Sequence, residues 1–492
     1  MRDDELRRLL TEANPWWRAV VAGSDTTAWA SSHRVFRART SYDLGHRATA
    51  LDDVKSEPID GRLIVLAGPR RVGKSVALLE VALALCGRSD VDARQVIHIP
   101  CDELKARDLR RVMTLAVELT RSVDTDSRVP RVWLFDEITH VTGWTATIKV
   151  ARDGSAFGED TVVLTGSQWV KGTDIASDLL AGRAGEISDH RRLRILLPMS
   201  FREYLAVSGR NLPLLEPIGP VELQSITARD QLEPVRFDVD AYDNAWQEYL
   251  TCGGFPRAVY EQISNGGVGR PYARDLLAWL ESDVEPDERR ESVSALLAAL
   301  EERSSSPLNA SATAEFLVYE NRPTFERRLA RMTAAFAGLR CPQRDEQTGD
   351  PVTGSQSKYY LVDPLLAWLP KHLRAGAEPP DMTRLTEMAL GVTLARAIEA
   401  NEEGRWLDGN TIGFIRTGSG NEVDLSPVPI LTTSASASSV PIESKWVDSN
   451  WRSEARVMSN KYHCGVLATK SILDLDDDVW AVPAPLLALL IV

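Results

Sequence analysis

The chain has 492 residues, 43% hydrophobic and 26% charged, with 57 Lys+Arg against 70 Asp+Glu and a formal net charge of −13. Such a length predicts about three domains, and the composition is that of an ordinary soluble globular protein. The acidic balance opposes non-specific adhesion to nucleic acid, so any DNA contact must come from local arginine patches. Five scattered cysteines (Cys86, Cys101, Cys252, Cys341 and Cys464) argue against a disulfide framework or a zinc site and fit a reducing, cytoplasmic setting. Met1 to Glu5 has no apolar run to suggest a signal peptide. The apolar stretch Pro485 to Val492 is too short to span a bilayer, so it reads as a buried terminal helix or strand, with no membrane partner.

Asn14-Pro15-Trp16-Trp17 predicts a helix start whose tryptophans pack on a core. Leu63 to Ala67 is a continuous apolar run, the pattern of a buried parallel strand. The octet Gly68-Pro69-Arg70-Arg71-Val72-Gly73-Lys74-Ser75 then fits G-x-x-x-x-G-K-[ST], and Val76 to Cys86 continues as an Ala/Leu helix stopped by Gly87. Strand, glycine loop and helix in that order predict a P-loop. Backbone N–H groups from Gly68 to Val76 would cradle a polyphosphate, Lys74 would reach its β- and γ-phosphates, and the Ser75 hydroxyl would sit on Mg2+.

Gln95 to Ile99 reads as a second strand, followed by Asp102-Glu103-Leu104 opening a polar helix. Val132-Trp133-Leu134-Phe135-Asp136-Glu137 is an apolar strand ending in two acids, about sixty residues beyond the P-loop. Asp136 would hold Mg2+ through a water, and Glu137 would polarise the attacking water. Thr161 to Ser167 is a further strand. Its polar end offers Thr165 or Ser167 to the γ-phosphate or the lytic water, or else simply caps the strand. Arg183 is a candidate γ-phosphate sensor, in cis or in trans, and Arg194 to Pro198 is another strand candidate. The guanine-reading motif N-K-x-D is missing, so ATP is favoured over GTP.

Six ordered motifs resemble the prokaryotic AAA-type ATPases whose P-loop reads G-P-R-x-V-G-K-[ST]. They are Gly68 to Ser75; Asp136-Glu137-Ile138 with Trp144; Thr165-Gly166-Ser167; Leu180-Ala181-Gly182-Arg183; Leu197 to Leu205; and Gly253-Gly254-Phe255-Pro256. The resemblance covers roughly residues 14 to 260. It implies an α/β P-loop core of the additional-strand type, a helical lid near Gly253, a winged helix and a C-terminal restriction-nuclease-like domain. The corresponding boundaries are 1–205 for the N-terminal segment and core, 206–285 for the lid, 286–375 for the winged helix and 376–492 for the nuclease-like domain.

The C-terminal half carries its own signals. Ser292 to Leu300, Ser311 to Leu317 and a segment from Pro323 read as three helices, and Lys358 to Val362 as part of a hairpin. Three helices and a hairpin match a winged helix, with Arg322, Arg327, Arg328 and Arg331 as a basic face for phosphates or simply a solvated one. Leu385 to Leu394 reads as an amphipathic helix with one inward acid, Glu387. Asn421 to Leu425 and, beyond the Thr432 to Ser439 loop, Val440 to Lys445 read as adjoining strands. Alternation puts Glu443 and Lys445 on one face, where Asp424 could meet them. This looks like the PD-(D/E)xK arrangement: Glu387, Asp424 and Glu443 would hold Mg2+, and Asp424, Glu443 and Lys445 would act on a phosphodiester. A salt-bridged strand pair is the plain alternative.

Two readings follow. One is an ATP-hydrolysing, DNA-directed protein with a metal-dependent nuclease-like domain. The other is a nucleotide-dependent switch whose C-terminal parts are non-catalytic and recognise a protein partner. Either is compatible with a homo-oligomer.

Overall fold

A computed structural model describes the chain except residues 125–126, 155–156, 169–190, 286–290, 318–321, 375, 419 and 432–435. The chain divides into two compact units, Met1–Leu196 and Leu197–Val492.

The first unit is an α/β fold around a five-stranded parallel sheet. Its strands are β1 (Leu63–Ala67), β2 (Val96–Pro100), β3 (Val132–Asp136), β4 (Thr161–Gly166) and β5 (Leu193–Ile195), in the order β2-β3-β4-β1-β5. Every residue of β1 and β4 is buried, as expected of central parallel strands covered on both faces. Because all five strands run the same way, their C-terminal ends share one edge. The order therefore brings the loop after β1 beside the ends of β4 and β3. The register pairs Leu66 with Thr165 and Phe135 with Leu164. Gly68 sits where a Cβ would lie 2.0 Å from the Leu196 carbonyl oxygen, so the first glycine of the loop is required by backbone packing as well.

The free edge of β2 is closed by side chains. The His98 N–H donates to Asn14 Oδ1 at 2.6 Å, and Asn14 Nδ2 donates back to the His98 carbonyl at 2.8 Å. The indole N–H groups of Trp16 and Trp17 both donate to the Val96 carbonyl. Asn14 thus acts as a one-residue strand that satisfies an otherwise open ladder. This explains the Asn-Pro-Trp-Trp cluster, whose proline opens the Pro15–Ala22 helix. The polar helix expected at Asp102 begins later, at Ala106, and ends at Thr120.

In the second unit, Ser200 caps the Phe201–Val207 helix in a box with Glu203. The Gly253-Gly254 turn lies against this segment: Met199 N–H donates to the Gly254 carbonyl, and a Cβ on Gly254 would meet Met199 O at 2.0 Å. Gly253 has φ +66, ψ −165, a region closed to L side chains. The Asp363 carboxylate fixes the turn, accepting from Gly254 N–H at 2.7 Å and Leu365 N–H at 2.9 Å.

Helices Glu291–Glu302, Ala310–Phe316 and Arg322–Ala334 precede an antiparallel hairpin of β6 (Gly338–Pro342) and β7 (Ser357–Leu361). Half of the expected basic face is engaged within the protein, and the other half is exposed. Arg328 is buried against the Glu285 carboxylate, Arg331 donates to the Val284 carbonyl and Arg322 pairs with Glu326; Arg327 is exposed.

The Met382–Asn401 helix is buried nearly all round rather than amphipathic, and carries a second buried acid, Glu399. Beside it lie β8 (Ile415–Arg416) with β9 (Glu422–Val423), and β10 (Pro429–Leu431) with β11 (Ser436–Ser438). The segment read as a loop thus contains a strand. A parallel sheet follows, β12 (Ile442–Ser444), β13 (Gly465–Thr469) and β14 (Val479–Pro483), in that order. The apolar C-terminal stretch is the fully buried helix Ala484–Ile491. No helix among the described residues is long and apolar enough to cross a membrane.

Candidate functional site

The loop after β1 turns on three residues with positive φ, Gly68, Arg71 and Gly73, which aim it into the Lys74–Cys86 helix. Pro69 and Val72 are buried under it, while Arg70, Gly73, Ser75 and Val76 are half-buried and Arg71 is exposed. Lys74 is 4% exposed, and its Nζ donates to the carbonyls of Gly68 (3.0 Å) and Pro69 (2.8 Å). Burial pushes its pKa down, against the opposing pull of Glu137, whose carboxylate lies 3.3 Å away. A buried ammonium held by two carbonyls and one acid is a cation short of negative charge, which a polyphosphate would supply.

Asp136 ends β3. Its Oδ1 accepts from the hydroxyls of Ser75 (3.0 Å) and Thr165 (2.9 Å). Thr165 in turn accepts the Glu137 N–H at 2.9 Å, so its hydroxyl joins both acids. Glu137 sits at φ +53, ψ +45, a left-handed conformation costing about 1–3 kcal/mol in a non-glycine residue. Its Oε2 accepts both the N–H (3.1 Å) and the hydroxyl (2.9 Å) of Ser167. Ser75, Lys74, Asp136, Glu137, Thr165 and Ser167 therefore form one hydrogen-bonded chain at the C-terminal edge of the sheet. Hydroxyl and carboxylate oxygens meeting at Ser75 and Asp136 are hard donors, which suit Mg2+. Arg183 lies outside the described residues.

His140, which belongs to no sequence motif, lies near the same acids, with its Nδ1 3.2 Å from Asp102 Oδ1. The hydrogen bond to Asp102 raises the His140 pKa above its ordinary value, with a smaller contribution from the charge of Glu137. A raised histidine stabilises the fold fully below its unfolded pKa and loses that contribution as pH rises through the folded value. Between pH 6 and 8.5, wild type should lose stability relative to His140→Gln. Solvent screening of this half-exposed pair limits the loss to about 1 kcal/mol or less, measurable by urea unfolding across a pH series.

Glu387, Asp424, Glu443 and Lys445 also come together, in the second unit, but around a residue that was not anticipated. The Lys358 ammonium, fully buried on β7, donates to Asp424 Oδ1 at 2.8 Å and Glu387 Oε1 at 3.1 Å, and lies 3.6 Å from Glu422. The Tyr360 hydroxyl donates to Glu387 Oε1 at 2.7 Å. Lys445 Nζ is 2.8 Å from Glu443 Oε1 and 3.6 Å from Asp424 Oδ2, and Asp424 Oδ2 also accepts the Ser444 N–H.

Burial works against the charge on Lys358, but Asp424 and Glu387 more than compensate and hold its pKa above the ordinary value. Burial and then the charge of Asp424 push Glu443 up to about 7, and Lys358 and Lys445 keep Asp424 low against the opposing effect of burial. Mg2+ does not fit here as expected: the lone pairs that would ligate it are turned onto lysine. Among the described residues, no group of three or more His, Cys, Asp or Glu is arranged to hold a metal ion. Strand alternation was the available signal, since Lys358 and Tyr360 share one face of β7.

Residues 60–205 match the family model of an AAA domain, and residues 243–373 match that of a domain of unknown function. The first match spans the loop, both acids and the Thr165–Ser167 strand end, so this part of the chain is similar to AAA-type P-loop domains. No curated protein is matched. Among solved structures, the chain is similar to the Walker-type ATPase of Pyrococcus abyssi, at 16% identity over 65% of this chain and 93% of that one, with a TM-score of 0.38.

Proposed function

We propose that this chain binds ATP with Mg2+ at the Gly68–Val76 loop, hydrolyses it, and uses the cycle as a nucleotide-dependent switch. The observation that carries the reading is the single chain of hydrogen bonds joining Lys74, Ser75, Asp136, Glu137, Thr165 and Ser167. The loop's N–H groups and the helix N-terminus bind phosphate, and Lys74 neutralises it. Ser75 and Asp136 would hold Mg2+, which when bound neutralises charge on the β- and γ-phosphates. Glu137, oriented by Ser167, orients water for attack on the γ-phosphate and takes its proton.

The switch character follows from the same contacts. In the present arrangement the Glu137 carboxylate is tied to Lys74 and Ser167. A phosphate drawing Lys74 away frees that carboxylate and changes the hydrogen bonding at the ends of β3 and β4.

In this reading the winged-helix-like helices with their hairpin, and the nuclease-like C-terminal part, are recognition scaffolds. The lysine-filled acid cluster and the burial of Arg328 against Glu285 support that over DNA cleavage. The test pairs two measurements. The protein should hydrolyse ATP with Mg2+ and show hydrogen-exchange differences between ATP- and ADP-bound states, while leaving supercoiled and branched DNA intact with Mg2+ or Mn2+. DNA products that disappear in Lys445→Ala would instead establish the nuclease.

A further inference from the structure

Beside Ser75 and Asp136 lies an open cavity of about 730 Å³, lined on its other side by N-terminal residues including Trp29 and Arg34. His98 lines it. The residue is 7% exposed, and although its ring lies near the Ala13 backbone, neither ring nitrogen makes a hydrogen bond of good geometry. An imidazole so placed is costly unless water or a ligand satisfies it, and this cavity is polar and roomy enough for several waters.

The ring's direction is set rather than accidental. His98 pairs with Leu134 and Pro100 with Asp136 in the β2–β3 register, so His98 and Asp136 project from the same face of the sheet, two residues apart along the strands. Both backbone groups of His98 are clamped by the Asn14 amide. Burial favours the neutral ring, while Asp136 and the Ala13 backbone pull the other way. From that face an imidazole nitrogen can reach a water held in the cavity that His98 and Asp136 both line.

We propose that His98 is a positioning residue for the divalent cation that accompanies ATP: through ordered water in this cavity it orients Asp136 and the water Asp136 presents to the metal. The inference rests on the nucleotide reading above. It assigns His98 a role outside the ligand set, of the kind that fixes how a ligand faces its metal.

The test uses the full chain carrying Glu137→Gln, so that ATP persists, and titrates Mn2+ into the ATP complex by electron paramagnetic resonance. Adding His98→Ala should weaken Mn2+ binding about tenfold or more. ATP binding in EDTA and the thermal midpoint should stay close to the parent's, and His98→Gln should recover part of the affinity. If His98→Ala does not fold, His98→Gln carries the comparison and should lie below the parent. Unchanged Mn2+ affinity in a folded variant overturns the proposal, as does an equal loss of metal-free ATP binding, which marks a purely structural histidine. A Glu137→Gln parent that binds no ATP overturns the nucleotide reading and this inference with it.

Discussion

Lys74→Ala is expected to lose ATP binding by at least about a hundredfold, and Glu137→Gln to bind ATP normally while hydrolysing it about 10²–10⁴ times more slowly. The two effects separate because the side chains meet different parts of the reaction. Lys74 is a buried cation held by two carbonyls with Glu137 as its nearest acid, so its partner is the ground-state phosphate. Two charge-assisted hydrogen bonds of about 1.5–3 kcal/mol each set the scale of the loss. Glu137 faces the same space from the end of β3, but its task arises only as water attacks. Glutamine retains its shape and its contact with Ser167 and removes the base. Calorimetric titration with ATP and single-turnover hydrolysis distinguish the outcomes. A Glu137→Gln protein that turns over at the wild-type rate would remove that glutamate from its role.

Lys358→Met should be the most destabilising single change in the second unit, by about 3–5 kcal/mol. Removing one partner from a buried ion cluster takes away compensation for the others, and here Glu387 and Asp424 lose their common cation while Lys445 still faces Asp424. The same change should create what wild type lacks. With the ammonium gone, Glu387 and Asp424 share a site that has lost its common cation, and a divalent ion can supply the missing charge. Mn2+ should therefore raise the unfolding temperature of Lys358→Met and leave that of wild type unchanged. Mn2+ stabilising wild type equally would show that the acids ligate metal despite the lysine. A Lys358→Met protein as stable as wild type would show that the lysine is not holding the cluster together.

The parts of the molecule that could be read in advance share a property. Phosphate-loop chemistry is contiguous: Gly68, Gly73, Lys74 and Ser75 lie within eight residues, and the strand and helix around them announce themselves by apolar run and glycine stop. Asp136 and Glu137 were legible because a buried strand rarely ends in paired acids at that distance from such a loop. The C-terminal constellation was half legible. Alternation predicted that Glu443 and Lys445 share a face with Asp424 nearby, and the cluster forms. Its meaning was not legible, because the deciding residue belongs to a hairpin 66 positions before Asp424. Likewise, Arg328 reads as part of a phosphate-facing or simply solvated basic face, whereas it is buried against Glu285.

Sequence by itself determined the strand-loop-helix, the acids that face it and the parallel α/β core, because each follows from short-range backbone preference and local spacing. Only the tertiary structure decided which charges are already neutralised, which edge is closed by a side-chain amide and which buried imidazole lines the cavity beside Asp136. A charge carries no mark of whether it will meet solvent, ligand or counter-ion; that is set by which distant strands pack together, and through packing by how far each group is removed from water.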